Sequence, residues 1–200
     1  MTFYHSDVIT PVRLVSVCGA GSLYLYRSFL NTAAADWAFK YFNEHTQWEQ
    51  DQYTFSGRTV KAPRLTALYG EGNYVYSGVT KCTNGWNDSL HALTKHIEEE
   101  LDYAFNSVLL NYYEDGQSSI GMHSDDEPEL GVDPTVCSLS LGGSRIFNLR
   151  NKHTQEETPL ELNHGDLLIM GSGIQAAYQH GIAKCYSATP RISLTFRTIV

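Results

Sequence analysis

Apolar residues change their spacing once along this chain, and the change divides it into two textures. In the first half, Leu90, Leu93, Ile97 and Leu101 fall three and four positions apart, the stripe of a helix that Asn87 or Asp88 can cap. An earlier helix is expected over residues 32–43, after a strand-like stretch at 22–30, with Asn31 or Thr32 as its cap. The acidic run at 98–100 is badly placed for the helix dipole and reads as a solvated face. From Phe105 onward, short apolar runs are separated by turn residues. Strands are expected at Ser107–Tyr113, 136–141, 145–149, 160–162, Leu167–Met170 and 191–198. Asp115-Gly116, Gly142-Gly143, Asn163-His164-Gly165 and Gly171-Ser172-Gly173 punctuate them. Many short strands without intervening helices imply a sandwich or jelly roll, here an α+β, mainly β fold with one sheet braced by the N-terminal helices. No repeat, low-complexity tract or linker interrupts the pattern, so one domain over residues 1–200 is expected.

Composition narrows the function without naming it. A 42% hydrophobic content suits a sizeable core, and 18% charged residues leave no stretch that reads as disordered. The net charge of −8 argues against a protein that coats nucleic acid or membrane indiscriminately. Locally the sign reverses: residues 55–85 hold Arg58, Lys61, Arg64 and Lys81 against Glu71 alone, which is +3 there and −11 elsewhere. Phe55, Tyr69, Tyr74 and Tyr76 are interleaved with these cations, a surface suited to phosphates and a stacked base. Cys18, Cys82, Cys137 and Cys185 form no C-x-x-C pair and read as free thiols of a reducing compartment. Residues 12–26 are the one stretch to weigh as a targeting segment, but Arg13 and two glycines interrupt it. No apolar run reaches the length of a membrane span, so an intracellular protein without membrane attachment is expected.

The chemistry concentrates near the C-terminal half. In an extended segment residues two apart face the same way, so His123 and Asp125 project together. His180 lies 55 residues beyond Asp125, far enough to return on another strand across a barrel mouth. Two imidazoles and one carboxylate are the ligand set of a non-haem Fe(II) oxygenase. Arg191 and Arg197, an even number of residues apart, share one strand face with Ser193 and Thr195, while Ile192, Leu194 and Phe196 turn into apolar packing. A face of two guanidiniums and two hydroxyls is built to hold an anion. Asn111 and Tyr113 add an amide and a phenol from one face of the preceding strand. The plainer alternative is a pair of ordinary salt bridges with polar rim residues.

Together these residues carry a resemblance. Asn111-Tyr112-Tyr113-Glu114-Asp115-Gly116, His123-Ser124-Asp125-Asp126-Glu127, Ser138-Leu139-Ser140-Leu141-Gly142 and the strand from Arg191 to Arg197 resemble the AlkB family of Fe(II)/2-oxoglutarate dioxygenases. The likeness continues upstream through Pro63-Arg64-Leu65, Tyr69-Gly70 and the run from Tyr74 to Gly78, and so covers about residues 45–200. It implies a double-stranded β-helix whose core spans residues 105–200, with a nucleotide-recognition lid at 45–85. It also implies that His123, Asp125 and His180 bind iron, and that Arg191 grips the distal carboxylate of 2-oxoglutarate with help from Tyr113 and Asn111. Arg197 would sit near the proximal carboxylate and Asp125, with Thr195 alongside, and O2 would be the second co-substrate. On the substrate side, Tyr76 would stack on a flipped base, Tyr74, Ser77 and Glu127 would line its polar edge, and Arg64 would belong to the same surface.

The implied reaction is oxidative demethylation of bases such as 1-methyladenine and 3-methylcytosine, in methylated DNA or RNA, by a monomer. Ser56 stands where duplex-acting members of the family carry a bulky hydrophobic residue, which favours single strands. Two other functions compete. A 2-oxoglutarate-dependent hydroxylase of a protein side chain or small metabolite would need the same iron and arginine pattern, but not a basic, tyrosine-rich lid. A non-catalytic nucleic-acid reader would have no need of five intact iron and anion residues.

Overall fold

A computed structural model of the protein describes residues 12–17, 21–55, 58–71, 74–76, 79–81 and 83–200. In chain order the first half contains β1 (Val12–Val17), β2 (Gly21–Tyr26), α1 (Thr32–His45), β3 (Gln52–Phe55), β4 (Arg58–Lys61), β5 (Leu65–Gly70), β6 (Tyr74–Tyr76), β7 (Val79–Lys81) and α2 (Asp88–Leu101). The second half contains β8 (Ser107–Tyr113), β9 (Ile120–His123), β10 (Val136–Gly142), β11 (Arg145–Asn151), β12 (Glu157–Leu162), β13 (Leu167–Met170), the short α3 (Ile174–Ala177), β14 (Tyr178–Ile182) and β15 (Arg191–Arg197). A single 3-10 turn, Pro128–Leu130, follows β9.

Two antiparallel sheets make the body of the fold. The larger runs β1-β2-β13-β10-β15-β8-β5 and the smaller β12-β11-β14-β9. β3-β4 and β6-β7 form two separate hairpin sheets. The alternation of side chains sorts the large sheet into two faces. On one, Val108 and Leu110 of β8, Cys137, Leu139 and Leu141 of β10, and Ile192, Leu194 and Phe196 of β15 join Ala35, Ala38 and Phe42 of α1 and Leu90, Leu93 and Ile97 of α2 in one core. On the other, Leu168 and Met170 of β13 and Val136 of β10 meet Phe147 and Leu149 of β11 and Ile182 of β14 between the sheets. The expected jelly roll braced by two helices is therefore present, with a dry helix-facing side and an inter-sheet side that holds the polar residues.

The helices start where the sequence indicates. Asn31 accepts from the Ala34 amide at 2.9 Å and Asn87 from the Leu90 amide at 2.8 Å, each the cap of the helix that follows. The acidic run at the end of α2 corrects the expectation of a uniformly solvated face. Glu99 and Glu100 are exposed, but Glu98 accepts from the Phe105 amide at 2.7 Å and from Lys95 Nζ at 2.6 Å. It thereby ties the helix end to the turn into β8. Residues 12–26, weighed above as a targeting segment, contain instead the antiparallel pair β1 and β2. No helix among the described residues is long and apolar enough to cross a membrane.

Candidate metal centre and anion pocket

The site lies between the sheets. β9 and β14 are neighbours in the smaller sheet, and His123 and His180 are register partners. His180 thus returns beside His123 rather than across the mouth of the barrel. The imidazole centroids are 4.4 Å apart. Asp125 lies two residues past His123, just beyond the end of β9, and is fully buried. Its Oδ1 is 3.9 Å from His123 Nε2 and its Oδ2 is 3.6 Å from His180 Nε2. One ligand atom from each of the three lies within 4.8 Å of the other two. That is room for one ion bound by two imidazoles and a carboxylate.

Each ligand is held by a different device. His123 Nδ1 is 2.9 Å from the Gly121 carbonyl, a second contact that fixes the ring and leaves Nε2 on the Asp125 side. The ring of His180 stacks on Phe147, with centroids 5.1 Å apart and planes 15° from parallel. The Asp125 amide donates to Gln175 Oε1 at 2.9 Å, and the Ser124 hydroxyl donates to the Tyr178 carbonyl at 2.9 Å, so the turn after β9 is pinned to α3 and β14. Arg197 Nη2 donates to Asp125 Oδ1 at 2.6 Å.

Electrostatics leave the ligands in metal-binding form. Burial pushes the His180 imidazole down to about 3, and the neighbouring His123 adds to the effect, so the ring is neutral. Burial alone would raise the Asp125 carboxyl, but Arg197 and the two histidines outweigh it and hold it below the usual carboxylate range. Oδ2 of Asp125 is buried with no hydrogen-bond partner among the described residues. An ionised carboxylate oxygen left so would be costly without a cation to meet it. The donor set, its charge and the orphaned oxygen all fit a divalent iron.

Beside this cluster runs the pocket face of the large sheet. Asn111 and Tyr113 from β8, Ser138 from β10, and Arg191, Ser193, Thr195 and Arg197 from β15 line it, with Ile192, Leu194 and Phe196 on the helix side. Of the two arginines, Arg197 is in an ion pair, as the plainer reading expects, but Arg191 is in none among the described residues. Its side chain is fully buried, Nη2 donates to Ser140 Oγ at 2.9 Å, and Nε and Nη1 have no hydrogen-bond partner among the described residues. Two adjacent unsatisfied donors on a guanidinium match the two oxygens of a carboxylate. Asn111 uses its carbonyl oxygen to accept from Arg64 Nε at 2.8 Å, so its NH2 is the group left for a ligand.

On the substrate side the outcome is mixed. Tyr74 and Tyr76 fall on β6, while Ser77 and Ser56 lie outside the described residues. Glu127 precedes the 3-10 turn and has a buried Oε2 without a hydrogen-bond partner among the described residues. Arg64, expected on the substrate surface, is only 6% exposed and its contact is with Asn111 on the pocket side. Gln175 and Phe147 escaped the sequence reading. A glutamine in a short helix and a phenylalanine on an apolar strand carry no signal of their own until the ligands they touch are located.

Comparison with known proteins agrees with this geometry. The profile of the 2OG-Fe(II) oxygenase superfamily matches residues 22–197. The chain is 40% identical over 196 residues to the alpha-ketoglutarate-dependent dioxygenase alkB homolog 3 of Mus musculus, covering 92% of this chain and 68% of that one. It is 34% identical over 155 residues to the DNA oxidative demethylase ALKBH2 of Homo sapiens, covering 72% of this chain and 59% of that protein. This chain thus spans about two thirds of the first relative and less of the second. Among solved structures, that of OsALKBH1 superposes with a TM-score of 0.61 at 18% identity, over 88% of this chain and 96% of that one, a likeness of fold. On these matches and on its His-Asp-His cluster, the chain belongs to the AlkB family of the 2OG-Fe(II) oxygenase superfamily.

Proposed function

We propose that this protein is an Fe(II)- and 2-oxoglutarate-dependent dioxygenase that demethylates N-alkylated bases of the 1-methyladenine and 3-methylcytosine type in DNA or RNA, releasing formaldehyde, succinate and CO2. The observation that carries the reading is the cluster of His123, Asp125 and His180 within 4.8 Å, beside the open guanidinium fork of Arg191. In this reading the three cluster residues hold iron. Arg191 takes the distal carboxylate of 2-oxoglutarate, and Asn111 and Tyr113 assist from β8. Arg197 steadies Asp125 and sits near the proximal carboxylate, with Thr195 alongside. When iron, 2-oxoglutarate and O2 are bound, the site supplies an oxidant able to hydroxylate an N-methyl carbon, and the hydroxymethyl group then leaves as formaldehyde.

The relatives support a nucleic-acid substrate, since one of them is named a DNA oxidative demethylase. Tyr76 stacks on the extruded base, and Tyr74, Ser77 and Glu127 face its polar edge, with the Glu127 carboxylate suited to a cationic methylated base. Arg64 serves the co-substrate side instead, by holding Asn111. Residues 45–85 act as the lid, apart from β5, which belongs to the large sheet and packs Tyr69 into the helix-side core, and residues 105–200 act as the catalytic core. The protein works as a monomer inside the cell, on single strands in preference to duplex. The test is a panel of methylated oligonucleotides, single- and double-stranded, incubated with Fe(II) and scored by base mass with and without 2-oxoglutarate. Loss of the methyl group only with the co-substrate, faster on single strands, is expected. No 2-oxoglutarate-dependent mass change on any strand would refute the reading.

A further inference from the structure

Four buried arginines stand in or behind the anion pocket, and they differ in what meets their charge; Arg64 donates to Asn111. Arg197 faces Asp125. Arg191 and Arg145 have no carboxylate within ion-pair distance among the described residues. Arg145 is 4% exposed, yet its partners are all backbone carbonyls. Its Nη1 donates to Asp115 O at 3.2 Å, and its Nη2 donates to Ser118 O at 2.9 Å and Ala183 O at 2.7 Å. Those carbonyls belong to the two connections β8 to β9 and β14 to β15, which follow the pocket-lining strands β8 and β14. Arg145 does not line the pocket. It reaches it through Tyr113, whose ring lies 5.7 Å from the Arg145 guanidinium carbon and 5.2 Å from that of Arg191.

Burying a guanidinium without a counter-ion is expensive, and carbonyl dipoles compensate only part of the cost. Two such groups over one tyrosine ring amount to a doubly positive end of the pocket, within a chain of net charge −8. The Arg191 guanidinium feels this, being shifted down chiefly by its own burial and further by the charge of Arg145. An anion arriving at Arg191 would relieve both. We propose that Arg145 is a positioning residue for the co-substrate: it clamps these two connections, holds the Tyr113 ring beside Arg191, and adds a second positive charge that selects a dicarboxylate over a monocarboxylate 2-oxo acid. This rests on the placement of 2-oxoglutarate at Arg191 given above.

The test measures binding rather than turnover. Protein loaded with Mn(II), a redox-inert stand-in for Fe(II), is titrated calorimetrically with 2-oxoglutarate and with 2-oxopentanoate, which lacks the distal carboxylate. Arg145→Gln should weaken 2-oxoglutarate binding about tenfold or more, the scale of losing an outer-shell partner, and leave 2-oxopentanoate within about twofold. Arg145→Lys keeps the charge but not the three-carbonyl clamp; it should weaken 2-oxoglutarate severalfold and still spare 2-oxopentanoate. It decides the matter if the glutamine variant does not fold. Equal losses for both acids would make Arg145 a purely structural clamp and overturn the proposal, as would no loss at all. Arg191→Lys separates the two levels: if it too leaves 2-oxoglutarate binding unchanged, the co-substrate does not sit at Arg191 and the error lies in that placement.

Discussion

At the scale of single residues, the site is a set of buried polar groups that do not satisfy one another. Among the described residues, Asp125 has one oxygen on Arg197 and one with no hydrogen-bond partner, and Arg191 keeps two donors open. A protein optimised for stability alone would pair or remove such groups, since unmet buried polar atoms cost about 1–3 kcal/mol each. In the proposed reading these are the positions that ligands would satisfy. Asp125→Ala should abolish turnover and also strand the Arg197 guanidinium. Breaking one half of a buried ion pair costs about 3–5 kcal/mol, so urea unfolding of the metal-free variant should show a loss on that scale. A loss below about 1 kcal/mol would mean that Arg197 is not sustained by Asp125.

At the scale of elements, pleating does the sorting. β15 sends Ile192, Leu194 and Phe196 to the helices and Arg191, Ser193, Thr195 and Arg197 to the pocket, so one strand serves core and chemistry at once. The period of two was legible in the sequence because both faces carry strong, opposite signals. β9 and β14 were not legible as strands: they are short, contain Gly121 and Gly181, and lack clean alternation. Their pairing with each other and with β11 supplies what their composition does not. The separation of faces also predicts an independence. Asn87→Ala removes the cap of α2, which packs on the helix side, and should cost about 1 kcal/mol of stability while leaving the dissociation constant of 2-oxoglutarate unchanged. Chemical denaturation and calorimetry on the same preparation would check both halves, and a co-substrate affinity that fell with the cap would show the faces to be coupled.

At the scale of the whole molecule, charge limits how this protein holds a polyanion. With −8 overall and a local excess of only +3 in residues 55–85, few phosphates can be neutralised at once. If three are, the logarithm of the affinity for a single strand should fall with the logarithm of salt with a slope of about −2, at 0.7 per phosphate. A slope beyond about −5, from a filter-binding or anisotropy series, would require a basic surface far larger than this one. Binding would then rest on the stacked base and the lid rather than on the backbone, which suits an enzyme that must recognise one altered base among many ordinary ones.

The amino-acid order by itself determined the fold class, each helix cap to within two adjacent residues, the triad of His123, Asp125 and His180, and the face of β15 that carries the arginines. All of these follow from local spacing or from a motif in which each residue's type is its signal. Only the tertiary structure decided that Arg64 lies beneath Asn111, that Glu98 closes the end of α2, that Phe147 and Gln175 hold His180 and Asp125, and that Arg145 stands behind Tyr113 without a counter-ion among the described residues. The reason is physical: those roles depend on which neighbour burial supplies, and residues distant in sequence become neighbours only when the sheets close.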